Sequence, residues 1–162
     1  MEHLDAGDGD RPEPVLPLSA SAGYQIRATH RLVQRALQAR VEPYGVTLGM
    51  WYFLRVLWDG DGLTQSELSQ RVGTMEPTTL SAIRDMERSG FVRRARHETD
   101  RRKINVYLTE EGRALRTRLM PHAVQVINQL LQGLTEREVT MLLSLLALMQ
   151  RNMAEPASTL PR

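Results

Sequence analysis

The sequence predicts a mainly α-helical fold of about six helices with one small β-hairpin wing. Three observations support this class. Apolar residues recur at helical spacing in several stretches, most of which glycine or proline separates. Residues 91–92 and 104–108 show instead the alternation of paired strands. Capping boxes, formed by Thr64 with Glu67 and by Thr135 with Glu138, mark helix starts.

The composition is that of a globular protein with a basic body. Of the 162 residues, 41% are apolar and 25% are charged. The formal net charge is +2, but residues 1–17 carry −4 and the remainder therefore carries +6, which suits a polyanionic partner. The chain lacks cysteine, which excludes disulfides, cysteine metal sites and thiol catalysis. Because no signal peptide and no apolar run of about 20 residues is visible, we expect a cytoplasmic protein.

The first helix is predicted over residues 18–41, after an acidic tail at 1–17 that we expect to be flexible. Its apolar face carries Ile26, Val33 and Leu37. His30 lies at the edge of that face, where it is either a satisfied core residue or a ligand group. The opposite, polar face carries Tyr24, Arg27, Arg31 and Arg35.

A second helix is predicted over residues 48–59, with Thr47 as its cap. It is apolar almost all round, so we expect it to be buried on every side. Arg55 is the exception, and helical spacing places it beside aromatic side chains, namely Trp51, Tyr52 and Trp58. Because a lone buried charge is costly, Arg55 either forms an internal ion pair or cation–π contact, or it lines a pocket for an acidic aromatic ligand.

Two short helices follow, separated by Gly73. Thr64 caps the first, and Thr74 or Glu76 is predicted to cap the second, which has Pro77 in its first turn. This is a helix-turn-helix pattern, whose second helix can lie in the major groove of DNA. The apolar residues of the second helix are Leu80, Ile83 and Met86. The polar residues of this helix either contact DNA bases and phosphates or form an ordinary solvent-exposed face. They are Thr78, Thr79, Ser81, Arg84, Asp85 and Arg88.

The hairpin after the second short helix is strongly cationic. Six cations and two acids lie between its strands and give a net charge of +4: Arg93, Arg94, Arg96, Glu98, Asp100, Arg101, Arg102 and Lys103. A cationic hairpin beside a helix-turn-helix is typical of a winged helix, whose wing tip can insert arginine into a narrow minor groove.

Two further helices are predicted, over residues 110–132 with a bend at Pro121, and over residues 136–153. Leucine and methionine cover more than one face of the last helix, so part of that apolar surface requires a partner. We therefore expect a homodimer that the first, fifth and sixth helices close. Its two-fold axis would set two recognition helices about one DNA turn apart, on a roughly palindromic site.

Three ordered motifs carry a resemblance to a known family. Gly90-Phe91-Val92, Asp100-x-Arg102 and Leu108-Thr109-x-x-Gly112 resemble the signature of the MarR family of bacterial transcriptional regulators, over residues 24–153. The resemblance implies a ligand-responsive repressor without cofactor or metal. In the family the wing aspartate braces the arginine two residues on, which here are Asp100 and Arg102. The lack of cysteine excludes thiol-based peroxide sensing, one branch of the family.

The resemblance assigns two sets of contacts. DNA contacts are expected from Thr64, Gln65, Thr74, Thr78, Thr79, Ser81, Arg84, Arg88, Arg94, Arg96, Asp100, Arg101, Arg102 and Lys103. Ligand contacts, between the dimerisation helices and the helix-turn-helix, are expected from Tyr24, Arg27, His30, Arg31, Trp51, Tyr52 and Arg55. Tyr24, Arg27 and Arg31 are contributed either by the same subunit or by its partner. Aromatic walls with arginine suit an aromatic acid or its CoA thioester, which would control an aromatic-compound catabolic operon.

The predicted domains follow this assignment. They are an acidic tail at 1–17, a dimerisation helix at 18–46, the winged helix-turn-helix at 47–109, dimerisation helices at 110–154 and a tail at 155–162. An enzyme is not expected, because the sequence has no Gly-x-Ser-x-Gly, no phosphate-binding glycine loop and no histidine pair at metal spacing. A regulator that needs no small molecule, a multidrug or stress regulator, and a winged-helix module for protein contacts are the alternatives.

Overall fold

Helices make up most of the structure, a computed structural model that describes residues 16–96 and 103–154. The helices are α1 (Ala22–Val41), α2 (Leu48–Asp59), α3 (Gln65–Val72), α4 (Glu76–Arg88), α5 (Glu110–Leu130) and α6 (Glu136–Ala154). The strands are β1 (Leu63–Thr64), β2 (Val92–Arg96) and β3 (Ile104–Leu108). Short 3-10 helices flank α1 at Leu18–Ala20 and Glu42–Tyr44. The described chain divides into two compact units between Leu32 and Val33.

The small sheet confirms the predicted hairpin and adds a strand to it. The wing strands β2 and β3 pair antiparallel, with Val92 opposite Leu108. The strand β1 joins β3 on its other edge, so the order is β1-β3-β2. Gly62 makes this approach feasible, because it adopts a φ of +75° and a Cβ there would lie 2.7 Å from the Tyr107 ring. At two residues, β1 is too short to give a sequence pattern of its own.

Three helix starts, those of α2, α3 and α6, carry the predicted side-chain caps. The Thr47 hydroxyl accepts a hydrogen bond from Met50 N at 3.2 Å. At α3, Thr64 Oγ1 accepts from Glu67 N at 3.3 Å, and the Glu67 carboxylate accepts from Thr64 N at 2.8 Å. The hydrogen bonds from Thr64 lower the pKa of Glu67 below its ordinary value. At α6, Thr135 Oγ1 accepts from Glu138 N at 3.3 Å, and the Glu138 carboxylate accepts from Thr135 N at 2.8 Å. The prediction for α4 is wrong, because its N-cap is Met75, which makes no side-chain cap.

The start of α5 explains why the motif Leu108-Thr109-x-x-Gly112 follows Gly90-Phe91. Thr109 caps α5 by accepting from Gly112 N at 3.0 Å, and it donates its own hydroxyl to Gly90 O at 2.6 Å. Thr109 N also donates to Phe91 O at 3.0 Å. A Cβ on Gly112 would lie 2.0 Å from that same Phe91 oxygen, so only glycine fits there. The helix continues through Pro121 to Leu130.

The core is built on α2, as predicted, but α2 is not buried on every side. Trp51 and Trp58 are buried and meet edge to face, with ring centroids 5.7 Å apart. Tyr52 keeps 37% of its surface exposed, and Arg55 is half-buried. The fully buried large apolar side chains are Leu54, Leu57, Leu68, Ile83, Met86, Leu115, Leu119, Val41, Val46 and Val106.

The last helix, α6, has no buried residue within the described chain. Its exposed apolar side chains are Met141, Leu142, Leu143, Leu145, Leu148, Met149 and Met153. The C-terminal half of α5 also exposes apolar side chains, at Val124, Ile127 and Leu130. Among the residues that the structure describes, none of the helices has the length and apolarity needed to cross a membrane.

Candidate nucleic-acid interface

The turn between α3 and α4 is held by a buried serine that sequence reasoning missed. Ser69 Oγ donates to Thr74 O at 2.8 Å, and Ser69 O accepts from Gly73 N at 3.0 Å and from Thr74 N at 3.1 Å. Gly73 adopts a φ of +73°, a conformation that favours glycine. This closed turn fixes the direction in which α4 leaves α3. Thr74, a predicted DNA contact, is half-buried here and contributes its backbone to the turn.

The exposed face of α4 differs from the predicted one at Thr79. This side chain is fully buried, and its hydroxyl donates to Met75 O at 3.3 Å. The prediction that Thr79 contacts DNA is therefore corrected, because the side chain belongs to the core. Thr78, Ser81 and Arg84 are exposed, as predicted. Arg84 forms no salt bridge with any residue that the structure describes.

Two predicted DNA-binding arginines instead face carboxylates. Arg94 on β2 reaches across to Glu87 on α4, with Nε 2.9 Å and Nη2 2.7 Å from the same carboxylate oxygen. The hydrogen bond from Arg94 lowers the pKa of Glu87 below its ordinary value. Arg88 lies 3.1 Å from Asp85 in an exposed pair. Arg94 thus braces the wing against α4, a contact across the fold that residue order does not reveal.

The wing leaves two cations at its described ends. Arg96 and Lys103 are exposed at the far end of the β2–β3 hairpin, whereas Arg93 stacks on the Tyr107 ring at 4.7 Å from its centroid. The predicted contacts Asp100, Arg101 and Arg102 lie outside the described residues. Lys103 also lines a groove of about 490 Å³ between the wing and the helix-turn-helix. The rest of the groove is lined by Thr64 on β1, by Ile104 on β3, and by residues of α3 and α4, namely Gln65, Ser66, Glu67, Gln70 and Glu76.

The predicted ligand contacts of α2 form a compact cation–aromatic cluster. The guanidinium of Arg55 lies 5.8 Å from the Trp51 ring centroid, and its Nη1 is 3.0 Å from Met120 Sδ. The internal cation–π contact that the sequence left open is therefore present. Within residues 16–96 and 103–154, Arg55 has no carboxylate in salt-bridge range. Tyr52 OH accepts from Gln34 Nε2 at 3.4 Å.

The predicted ligand contacts on α1 lie in the compact unit that ends at Leu32. Tyr24, Arg27 and Arg31 line an open depression of about 230 Å³ on that helix. His30 is exposed, so the interpretation of His30 as a satisfied core residue is wrong. Its ring is available to a partner.

Asp61 joins three elements, and sequence reasoning missed it. Its Oδ1 accepts hydrogen bonds from Leu108 N at 2.8 Å and Gly62 N at 2.9 Å, and its Oδ2 lies 2.8 Å from Arg113 Nη2. One carboxylate therefore ties the α2–β1 turn to the end of the wing and to the first turn of α5. The Gly-Asp-Gly run at residues 60–62 was the available signal.

Together, the α3–α4 pair and the β2–β3 hairpin define a winged helix-turn-helix protein. Residues 46–104 match the family model of the MarR family. A solved MarR transcriptional regulator from Methanosarcina mazei Go1 is 32% identical, with a TM-score of 0.75, over 80% of this chain and 94% of that one. The chain belongs to the MarR family.

Two curated relatives are similar in sequence to this chain. The HTH-type transcriptional regulator TtmR of Methylorubrum extorquens (strain PA1) is 30% identical over 109 residues, which make up 66% of this chain. The matched part spans 56% of the length of TtmR. The homoprotocatechuate degradative operon repressor of Escherichia coli is 27% identical over 106 residues, or 65% of this chain and 72% of that protein.

Proposed function

We propose that this protein is a DNA-binding transcriptional regulator that acts as a homodimer. The observation that carries the proposal is the exposed face of α4, with Thr78, Ser81 and Arg84, braced through Glu87 to a wing that ends in cations. Hydroxyl and guanidinium groups on a helix of this kind suit base edges and phosphates. Names of the relatives as transcriptional regulators support the same conclusion.

Each element has a role in this proposal. Thr78, Ser81 and Arg84 meet the major groove, while Thr64 and Gln65 at the start of α3 meet the phosphate backbone. The wing supplies charge from Arg96 and Lys103, together with the predicted Arg101 and Arg102. Residues 47–109 are thus the DNA-binding domain, and residues 18–46 and 110–154 are the dimerisation helices.

The dimer is proposed from the apolar surface of α5 and α6. Leu143 and Leu145 are 61% and 47% exposed on a helix that buries no side chain within the described chain. An apolar surface of this extent marks an interaction site. We propose that a second copy of this chain covers the surface. The two-fold axis of such a dimer would present two symmetry-related α4 helices, which matches a palindromic DNA site.

The DNA-binding proposal is tested by selecting random duplexes with the purified full chain. We expect one roughly palindromic sequence to be enriched, with an affinity that falls as salt rises. Arg84→Ala should weaken binding about tenfold, and it should flatten the log–log salt slope by about 0.9 if Arg84 contacts a phosphate. Enrichment of no sequence, together with salt-independent retention, would contradict the proposal.

We further propose that the effector is a small aromatic acid or its CoA thioester, and that it releases a repressor from a catabolic operon. The half-buried Arg55 beside Trp51 supports an anionic aromatic ligand, since no described carboxylate neutralises the guanidinium. The repressor named for homoprotocatechuate degradation supports the same class of compound. Tyr52 is a further contact in this proposal, and Tyr24, Arg27 and Arg31 are proposed as contacts from the other subunit of the dimer.

A thermal-shift screen of aromatic acids and their CoA thioesters tests the effector. One compound should raise the melting temperature and lower DNA affinity, because it favours the geometry that fits DNA less well. Arg55→Ala should abolish the thermal shift, whereas the control Arg35→Ala, an exposed arginine on α1, should keep it. A full thermal shift in Arg55→Ala would contradict the assignment.

A regulator that needs no effector is the second candidate. Trp51 is buried, and Arg55 already stacks on its ring and contacts Met120, so the cluster is satisfied without a ligand. The same screen separates the two, because a regulator of this kind would show specific DNA binding and no thermal shift with any compound.

A further inference from the structure

The residue that precedes α4 is an exposed methionine. Met75 keeps 75% of its surface exposed and occupies the N-cap, where Ser, Thr, Asp or Asn would normally cap the helix. Its backbone oxygen accepts hydrogen bonds from Thr79 N at 3.0 Å and from Thr79 Oγ1 at 3.3 Å. The apolar side chain is therefore held at the start of α4 on a well-fixed backbone.

The next residue places a carboxylate beside it. Glu76 is exposed at the first position of α4, and its Oε1 accepts a hydrogen bond from Ser66 Oγ at 2.9 Å. A carboxylate repels phosphate, so it does not serve affinity for the DNA backbone. It is an acceptor that suits an amino group on a base edge.

We propose that Met75 and Glu76 read pyrimidine edges in the operator. Met75 packs on the C5-methyl group of a thymine, and Glu76 accepts a hydrogen bond from the N4 amino group of a neighbouring cytosine. These two groups are the features by which the major groove displays thymine and cytosine to apolar and acidic side chains. The inference rests on the proposed function, because it requires α4 to enter the major groove. Ser66 is the positioning residue, since it directs the Glu76 carboxylate.

Removal of single methyl groups from DNA tests the role of Met75. The full chain first selects its operator from random duplexes, and each thymine is then replaced in turn by deoxyuridine, which lacks only the C5-methyl. The wild type should lose about fourfold in affinity at one thymine in each half-site. Met75→Ala should lose nothing at that thymine, whereas Met75→Leu should retain the loss. Equal uridine profiles for the wild type and Met75→Ala would overturn this role.

Base substitution tests the role of Glu76. Replacing the contacted cytosine base pair should cost the wild type about tenfold in affinity, and the cost should fall below about twofold in Glu76→Ala, which removes the acceptor. The control Glu42→Ala changes an exposed glutamate in the 3-10 helix after α1 and should leave the tenfold cost intact. An undiminished cost in Glu76→Ala would overturn the assignment of Glu76.

Failure of this inference is distinguishable from failure of the proposed function. If the wild type enriches no duplex, DNA binding itself is wrong. If the wild type enriches an operator but its methyl and cytosine preferences do not depend on Met75 and Glu76, the function stands and this inference is wrong. Unchanged melting temperatures of Met75→Ala and Glu76→Ala would confirm that the preferences, rather than the fold, have changed.

Discussion

Single residues decide how much of the predicted surface is available to DNA. Thr79 and Ser81 carry the same hydroxyl chemistry on α4, yet Thr79 is fully buried and Ser81 is exposed. Helical periodicity alone allows either Thr79 or Leu80 to face the core, and a threonine can be buried because Met75 O satisfies its hydroxyl. The sequence therefore predicted Ser81 and Arg84 as exposed but could not separate Thr79 from them.

At Gly112, a substitution is expected to destabilise the fold. In Gly112→Ala the new Cβ would meet Phe91 O at 2.0 Å, so the backbone must move and the bond from Thr109 N to that oxygen is strained. We expect a loss of about 3 kcal/mol in the free energy of unfolding, measured by urea denaturation.

Gly49 provides the matched control. It lies in α2 with Thr47 Oγ1 as its nearest neighbour, at 3.8 Å from a Cβ built there. Gly49→Ala should leave stability unchanged or raise it by up to about 1 kcal/mol. Equal effects of the two substitutions would contradict the packing described for Gly112.

Among the secondary-structure elements, the helices could be predicted from local sequence patterns. Contacts between elements that are distant in sequence could not. Thr47, Thr64 and Thr135 cap the helices that they were predicted to cap, because a cap depends on residues three positions apart. The pKa of Glu67 is lowered in the folded protein, so the ionised carboxylate stabilises α3. This stabilisation is complete at a pH above the ordinary carboxyl pKa, and it is lost as the pH falls through the lowered pKa of Glu67. The brace from Arg94 to Glu87 joins a strand to a helix, so no sequence spacing predicted it.

The brace between the wing and α4 gives a prediction for DNA binding. Glu87→Gln should release Arg94, which is 36% exposed, to contact a phosphate. We expect a higher affinity for the selected duplex and a log–log salt slope steeper by about 0.9, measured by fluorescence anisotropy.

The control for that experiment is Glu110→Gln, which removes an exposed carboxylate from the first turn of α5. It should change the slope much less, because it frees no arginine held against α4. A slope in Glu87→Gln equal to that of the wild type would show that Arg94 does not reach DNA when released.

At the scale of the whole molecule, the apolar surface of α6 links the fold to the proposed mode of action. The sequence predicted this surplus from leucine and methionine on more than one face, and the described α6 buries none of them. Composition could not show which copy or partner covers the surface, since that depends on a second chain. A homodimer accounts for it and doubles α4 for a palindromic site.

The mass of the complex between the full chain and its selected duplex, measured by sedimentation velocity, shows whether the protein binds DNA as a dimer. We expect two protein chains on each palindromic duplex, and Leu145→Glu, which places a charge in the apolar surface of α6, should reduce this to weak binding by single chains. One wild-type chain per duplex, or no complex at low salt, would show that the chain does not bind DNA as a dimer.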